Sequence, residues 1–317
     1  MTPTLVAART ALPPEGALAP WGGPAALKVG TVGVIGVGNM GGAMAARLGT
    51  LGWAPWVHDL DAAKVTNLMP FGALAPVDIA QAASKSIATI VCVVDAAQTR
   101  DVLFGPQGIA GSLPAGHIVV LCPTIAPDDV EDIARELLAL GVDTVDTPMS
   151  GGPARARDGS MSLMVACADS VFARCLPLLE ALSGKVFRIS QRVGDSARTK
   201  LVNNLLAGIN LVGAAEVLAL ADRMGLDLGV TLDVVEQSSG QSWIGSDRMR
   251  RAIAGDLAPR AHMILLAKDT RLAIEAARAA GWVGPLGETA SQVFASAVQA
   301  GMADLDDGAL LGFLRRP

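Results

Sequence analysis

From residue 28 to about 190, apolar positions fall into two alternating kinds of run. Short stretches rich in Val and Ile recur at 29–35, 54–58, 87–93, 117–121 and 142–146. Between them lie Ala- and Leu-rich stretches whose apolar residues return at helical spacing, at 40–51, 61–68 and 126–140. The last carries Pro127 at its start with Asp128, Asp129 and Glu131 in its first turn, an arrangement that suits the positive end of a helix dipole. Two further strands, 162–166 and 186–189, flank a helix at 169–182. This alternation predicts an α/β fold with a doubly wound sheet. After Arg192 the strand signal stops, and Ala- and Leu-rich helices punctuated by Gly225, Gly240, Gly255, Gly281 and Gly301 run to the end. The expected organisation is an N-terminal extension at 1–27, a Rossmann-type domain at 28–193 and an all-helical domain at 194–317.

The most apolar long segment, 201–221, is interrupted by Asn203, Asn204, Asn210 and Glu216, which would be costly in lipid, so it reads as a buried core helix. Because it is apolar on nearly every face, part of it is expected to be covered by a second subunit. Of the 317 residues 51% are hydrophobic and only 3% aromatic, so the core is built mainly of Ala, Leu and Val. The net charge of −5 supplies no basic field for nucleic acid or an anionic membrane, and neither is expected as a partner. Cys92, Cys122, Cys167 and Cys175 show no CxxC spacing and sit in or beside apolar runs, as reduced thiols of a cytoplasmic protein would; no metal is expected. The Pro- and Gly-rich stretch 1–27 lacks a continuous apolar run of signal-peptide type and is expected to be a flexible extension.

The stretch TVGVIGVGNMGGAMAARL places G-x-G-x-x-G at Gly36, Gly38 and Gly41, directly after a predicted strand and opening a predicted helix. The glycines would provide a tight turn, room for a pyrophosphate against the backbone, and close helix-to-strand packing. Free N–H groups at the helix start, around Asn39 and Met40, would hold the phosphates. The second strand ends at Asp59, whose carboxylate could accept hydrogen bonds from the adenosine ribose hydroxyls. With no Arg at 59–62 to bind a 2′-phosphate, NAD is the expected cofactor. Asp61 is the expected cap of the following helix.

Further motifs are DTPMSGG (146–152) with DGSMSLMV (158–165), TKLVNNLLAG (199–208) and LLAKDTRLA (265–273). Together with the glycine fingerprint they make the chain resemble the β-hydroxyacid dehydrogenase family, which includes 3-hydroxyisobutyrate dehydrogenase and tartronate semialdehyde reductase. The resemblance implies that Ser150, Gly151 and Gly152 bind the substrate carboxylate, that Lys200 is catalytic and that Asn204 positions substrate. It also implies that Val94, Thr124 and Lys268 contact the cofactor near its nicotinamide, and that the helical domains join in a homodimer or homotetramer. The residues themselves suit these roles: a hydroxyl beside consecutive N–H groups makes an anion-binding concavity, and positions i and i+4 place Lys200 and Asn204 on one helix face. The chain departs from the family pattern at Val93 and Val94 (usually Leu-Pro), Pro123 (Ser), Arg155 (Gly) and Ser196 (Gly). The segments GKVFRIS (184–190) and GQSWIGSDRM (240–249) look most like the L-threonate dehydrogenase branch, so a four-carbon sugar acid is the expected substrate.

The expected reaction is NAD-dependent oxidation of a small hydroxy-carboxylate by hydride transfer, with Lys200 exchanging the proton. An NADPH-dependent reductase of tartronate or succinic semialdehyde, and a catalytically silent nucleotide-binding scaffold, remain as alternatives. Asp59 argues against the former and Lys200 against the latter.

Overall fold

A computed structural model describes residues 30–316, so the N-terminal extension at 1–27 and the first residue of the predicted 29–35 strand lie outside the described residues. Strand β1 (Thr31–Ile35) pairs in parallel with β2 (Ala54–His58) on one side and β3 (Ala88–Val91) on the other, and β4 (Ile118–Leu121) and β5 (Asp143–Asp146) extend the parallel run. Then the direction reverses. Strand β6 (Met149–Ser150) and β5 both pair antiparallel with β7 (Ser162–Ala166), which pairs in parallel with β8 (Lys185–Ser190). The resulting order is β2-β1-β3-β4-β5-β7-β6, with β8 beside β7. Because the chain leaves β1 toward β2 and later returns to β3 on its other side, a crevice opens at the carboxyl ends of β1 and β3.

Helices α1 (Asn39–Thr50), α2 (Ala62–Thr66), α3 (Ile79–Ser84), α4 (Ala96–Phe104), α5 (Pro127–Ala139), α6 (Gly152–Asp158) and α7 (Asp169–Leu182) connect these strands. Alternate strand residues point to opposite faces. Val32, Val34, Ile118 and Val120 enter one apolar layer with Met44, Leu48 and Leu179, while Ile35, Val119 and Leu121 enter the other with Leu103, Ile133 and Leu137. The chain pattern anticipated the strands and α1, α2, α5 and α7, but not α3, α4, α6 or β6. The predicted helix 61–68 is shorter than expected: α2 stops at Thr66 and a tight turn at Met69–Phe71 follows.

Past Ser190 every described element is helical. Helix α8 (Asp195–Arg223) packs against α9 (Leu228–Glu236), α10 (Trp243–Ile253), α11 (Met263–Ala279), α12 (Pro285–Ala297) and α13 (Leu310–Leu314). Leu211, Ala215 and Leu218 of α8 meet Met249, Met263, Phe294 and Leu310 in a third core. Gly208 lets α11 come close, since a Cβ there would lie 2.6 Å from Thr270 Cγ2. Among the described residues α8 alone is long and apolar enough to cross a membrane, yet helices pack along it. Val202, Leu206, Val217 and Leu220 remain exposed on its free side.

The start of α8 is fixed by a residue from the sheet. Its N-cap, Gly194, has φ of 98° and supplies no side-chain acceptor. Asp146, the last residue of β5, fills that role: its Oδ2 accepts from Gly194 N (2.9 Å) and Ala197 N (3.0 Å). Burial raises the Asp146 carboxyl to about 7, against the pull of these N–H groups toward the charged form.

Asp146→Ala is expected to cost roughly 2–3 kcal/mol in urea denaturation, because buried N–H groups lose their acceptor. The folded pKa of about 7 lies above the unfolded value, so the stability that this proton uptake adds is complete in acid and is lost as pH rises through the folded value. Wild type should therefore lose stability relative to Asp146→Asn between about pH 4 and pH 7, the span from the unfolded to the folded value. A difference constant across that range would show that Asp146 titrates alike in both states.

Candidate active site

The loops that leave the carboxyl ends of the parallel strands carry most of the residues of interest. Gly36 follows β1 with φ of 86°, where a Cβ would lie 2.6 Å from Cys92 O, and a Cβ on Gly41 would lie 2.0 Å from Gly36 O. Both glycines are demanded by the fold of the turn. Gly38 is not: a Cβ there would meet nothing within 4 Å, so its bareness leaves an open cradle over the start of α1. Asn39 and Met40 begin α1, which has neither a side-chain cap nor an acid in its first turn. N–H groups at such a start have no acceptor within the helix and favour an anion. The cradle thus fits a pyrophosphate by its shape and its donors.

Asp59 lies just past β2. Its Oδ2 accepts from Val37 N in the glycine turn (2.9 Å) and its Oδ1 from Asp61 N (3.0 Å). Asp61 caps α2 by accepting from Ala63 N at 3.0 Å. Beside Asp59 stands a cation that the 59–62 window missed: Lys64 Nζ is 3.6 Å from Asp59 Oδ1.

Val94 and Thr124 sit on the loops after β3 and β4. Lys268, on α11, reaches across to both, donating from Nζ to Val94 O (3.1 Å) and to Thr124 O. Its neighbour Asp269 is buried rather than solvated: its Oδ1 is 3.2 Å from Lys268 Nζ, and its Oδ2 accepts from Asn204 Nδ2 at 2.6 Å. Asn203 Nδ2 donates to Asn204 Oδ1 (3.0 Å). Lys200 and Asn204 are both buried on the inner face of α8, and Lys200 Nζ donates to Met149 O at 2.6 Å. Met149 immediately precedes the turn formed by Ser150, Gly151 (φ 135°) and Gly152 (φ 76°), backbone angles that favour glycine.

One group of residues thus draws together Ser150, Gly151, Gly152, Lys200 and Asn204, and through Asp269 also Lys268, Val94 and Thr124. The glycine turn and Asp59 stand farther along the same rim, on β1 and β2. Burial lowers the Lys200 pKa; the Asp269 carboxylate opposes that shift and the Lys268 ammonium adds to it. Asp269 is a site residue to which the motifs of the sequence assign no role. The available signal was a carboxylate inside the helical run LLAKDTRLA. The four cysteines are free, and burial raises their thiol pKa values, that of Cys92 to about 12, so they are unreactive thiols.

Residues 31–190 match the family described as the NAD binding domain of 6-phosphogluconate dehydrogenase. Residues 194–314 match the family described as the NAD-binding portion of NADP-dependent 3-hydroxyisobutyrate dehydrogenase. The chain is 38% identical to an L-threonate dehydrogenase of Escherichia coli K12 over 82% of its own length and 86% of the relative's. It is 33% identical to the 3-hydroxyisobutyrate dehydrogenase of Pseudomonas aeruginosa over 77% of its length and 84% of the relative's. A crystal structure described as 3-hydroxyisobutyrate dehydrogenase from Salmonella typhimurium superposes with a TM-score of 0.82 at 36% identity, covering 89% of this chain and 99% of that one. Psf3, solved with NADP+ and 2-OPP, superposes with a TM-score of 0.83 at 29% identity, over 89% and 99% of the two chains.

Two substitutions test the electrostatic surroundings of Lys200. Asp269→Asn should lower its pKa further and Lys268→Met should raise it, because the two neighbours act with opposite sign. NMR titration of the Lys200 Nζ resonance measures both, and shifts in the same direction would contradict the arrangement.

Proposed function

We propose that this chain, which belongs to the 3-hydroxyisobutyrate dehydrogenase-like family of β-hydroxyacid dehydrogenases, is an NAD-dependent dehydrogenase of a four-carbon sugar acid such as L-threonate. That it is an oxidoreductase using a nicotinamide cofactor and a small hydroxy acid follows from family membership; the choice of NAD and of the sugar acid is our reading. The sugar acid is favoured by the 38% identity to an L-threonate dehydrogenase and NAD by Asp59, while the observation that carries the chemistry is the buried Lys200 amine of lowered pKa, bonded to Met149 O beside the Ser150–Gly152 turn.

Ser150 Oγ and the N–H groups of Gly151 and Gly152 would take the substrate carboxylate, an anion suited to a concavity of donors. Asn204, held by Asp269, would orient the reacting hydroxyl. Neutral Lys200 would accept that hydroxyl's proton at Nζ, and a lysine near its free pKa of about 10.4 would be almost wholly protonated at neutral pH, which is why its burial matters. In the opposite direction the same group would return the proton. The cofactor, when bound, supplies the hydride acceptor. Gly36, Gly38, Asn39, Met40 and Gly41 would hold its pyrophosphate, Asp59 its adenosine ribose, and Val94, Thr124 and Lys268 would frame its nicotinamide end. Lys268 is engaged by Val94 O and Thr124 O, so its charge lies at the cleft between sheet and helices.

The assembly we propose is a homodimer or homotetramer in the cytoplasm, with the second copy covering Val202, Leu206, Val217 and Leu220. One observation favours a second reading of the cofactor: Lys64 beside Asp59 is a cation within reach of a 2′-phosphate, as an NADP-dependent enzyme would need.

Lys200→Ala should lower kcat for oxidation by about two to four orders of magnitude with cofactor binding little changed. Lys200→Arg should rescue little, since guanidinium does not release its proton near neutrality. In wild type the oxidation rate should climb with pH as Lys200 loses its proton, and that limb should be missing in the alanine variant. Wild-type kcat in Lys200→Ala would remove this residue from the chemistry.

The substrate and cofactor are tested together by assaying three- to five-carbon hydroxy acids for NADH and NADPH formation. A sugar acid should be the best substrate, and NAD should be preferred by about tenfold or more in kcat/KM, the effect of roughly 1.4 kcal/mol. Preference for NADP would assign Lys64, not Asp59, the deciding role.

A further inference from the structure

Arg155 lies in the last turn of the short helix α6, three residues past Gly152. Its stem runs over that turn: a Cβ on Gly151 would lie 3.0 Å from Arg155 Cδ and 3.2 Å from Arg155 Cβ. Its guanidinium then stacks on Trp243, 5.0 Å from the ring centroid. Trp243 opens α10, whose start is fixed by Ser242 Oγ accepting from Gly245 N at 3.1 Å. The indole is 51% exposed, a large apolar ring left partly in water. A second guanidinium, Arg248, lies 6.0 Å from the same ring but is bound to Asp307 and Asp247. Arg155 makes no ion pair among the described residues.

The surrounding cations are all committed. Lys200 donates to Met149 O, Lys268 to Val94 O and Thr124 O, and Arg248 to its two carboxylates. Arg155, held over the Trp243 ring, has no hydrogen bond or ion pair among the described residues, so its donors, set in a fixed fork, are open to bond oxygen. We propose that Arg155, held on Trp243 beside the Ser150–Gly152 turn, selects hydroxy acids that carry further hydroxyl or carboxylate oxygens over those that carry alkyl groups. The inference rests on the proposed hydroxy-acid site at that turn and adds the substrate class it favours. A methyl group facing the guanidinium edge would strip water from its donors and return no hydrogen bond, whereas a hydroxyl would replace that water.

The test compares kcat/KM for L-threonate and for 3-hydroxyisobutyrate in wild type, Arg155→Ala, Arg155→Lys and Trp243→Leu, with melting temperatures as a folding control. Arg155→Ala should lower kcat/KM for the sugar acid by about tenfold or more, mainly through KM, and change that for the alkyl acid by less than about threefold. Arg155→Lys should fall between wild type and alanine, and Trp243→Leu should lose part of the preference because the guanidinium is no longer held. Equal losses on both acids, or no loss on either, would overturn the inference. If wild type oxidises neither acid, the proposed activity fails, and selection is read instead from the melting shift that L-threonate produces in the presence of NAD. A shift present in wild type and absent in Arg155→Ala would support the inference; an equal shift, or none in wild type, would overturn it.

Discussion

The carboxylate of Asp146 ends the last parallel strand and, through its bonds to Gly194 N and Ala197 N, begins the longest helix. Those two facts fix the site. Four residues beyond Asp146 the chain makes the Ser150–Gly152 turn, and three beyond Ala197 the helix presents Lys200. With both segments anchored on one side chain, the amine arrives opposite the backbone it bonds, Met149 O, at 2.6 Å. Burying the carboxylate is electrostatically costly, which is why burial raises its pKa, while the helix dipole and the N–H groups offset the cost. A side-chain cap from Gly194's own position could not do this, because the cap must come from the sheet for the helix to be placed relative to it.

A second attachment comes from α11. Lys268 bonds carbonyls on the loops after β3 and β4, and its neighbour Asp269 holds Asn204 on α8. The adjacent pair therefore joins sheet to helices with one side chain and orders the inner face of α8 with the other. Their charges act on Lys200 with opposite sign, so its lowered pKa is due first to burial and only adjusted by the pair. Arg155 on Trp243 makes a third bridge, from α6 to α10. Rotating the helices relative to the sheet would strain all three, which is how loops of modest length can present a fixed geometry.

The sheet and the main helices were legible in the chain because strands buried on both faces read as continuous Val and Ile runs, and helices covering them as Ala- and Leu-rich ones. The missed elements are the short ones. Helices α3 and α4 carry too few buried residues to show a period, although Asp78 and Asp95, each with Gln three places on, mark their starts and do cap them. Strand β6 has two residues and exists only through pairing with β7, which no local pattern encodes. At the site, Lys200, Asn204 and the glycine turns announce themselves by chemistry that an apolar or structural position would not need. Asp269 did not, because a Lys-Asp pair on a helix reads as a solvated surface until α8 is known to cover it. The bond between Asp146 and α8 was likewise invisible, since it joins residues far apart in sequence.

Asp59 and Lys64 show why one carboxylate after the second strand is an incomplete guide to the cofactor. Both Asp59 oxygens already accept backbone N–H groups, one from the glycine turn itself, so the carboxylate braces the phosphate cradle whatever nucleotide it serves. Its negative charge would repel a 2′-phosphate, but Lys64 lies 3.6 Å away and would attract one. The two charges differ in constraint. Asp59 is pinned by the backbone and cannot retreat, whereas Lys64 is half exposed on a flexible stem and loses side-chain entropy when ordered. The fixed charge acts on every bound nucleotide at full strength, the mobile one only after that entropy is spent and against screening by water. That asymmetry is the ground on which we propose a ribose diol, and so NAD, rather than a 2′-phosphate at this position.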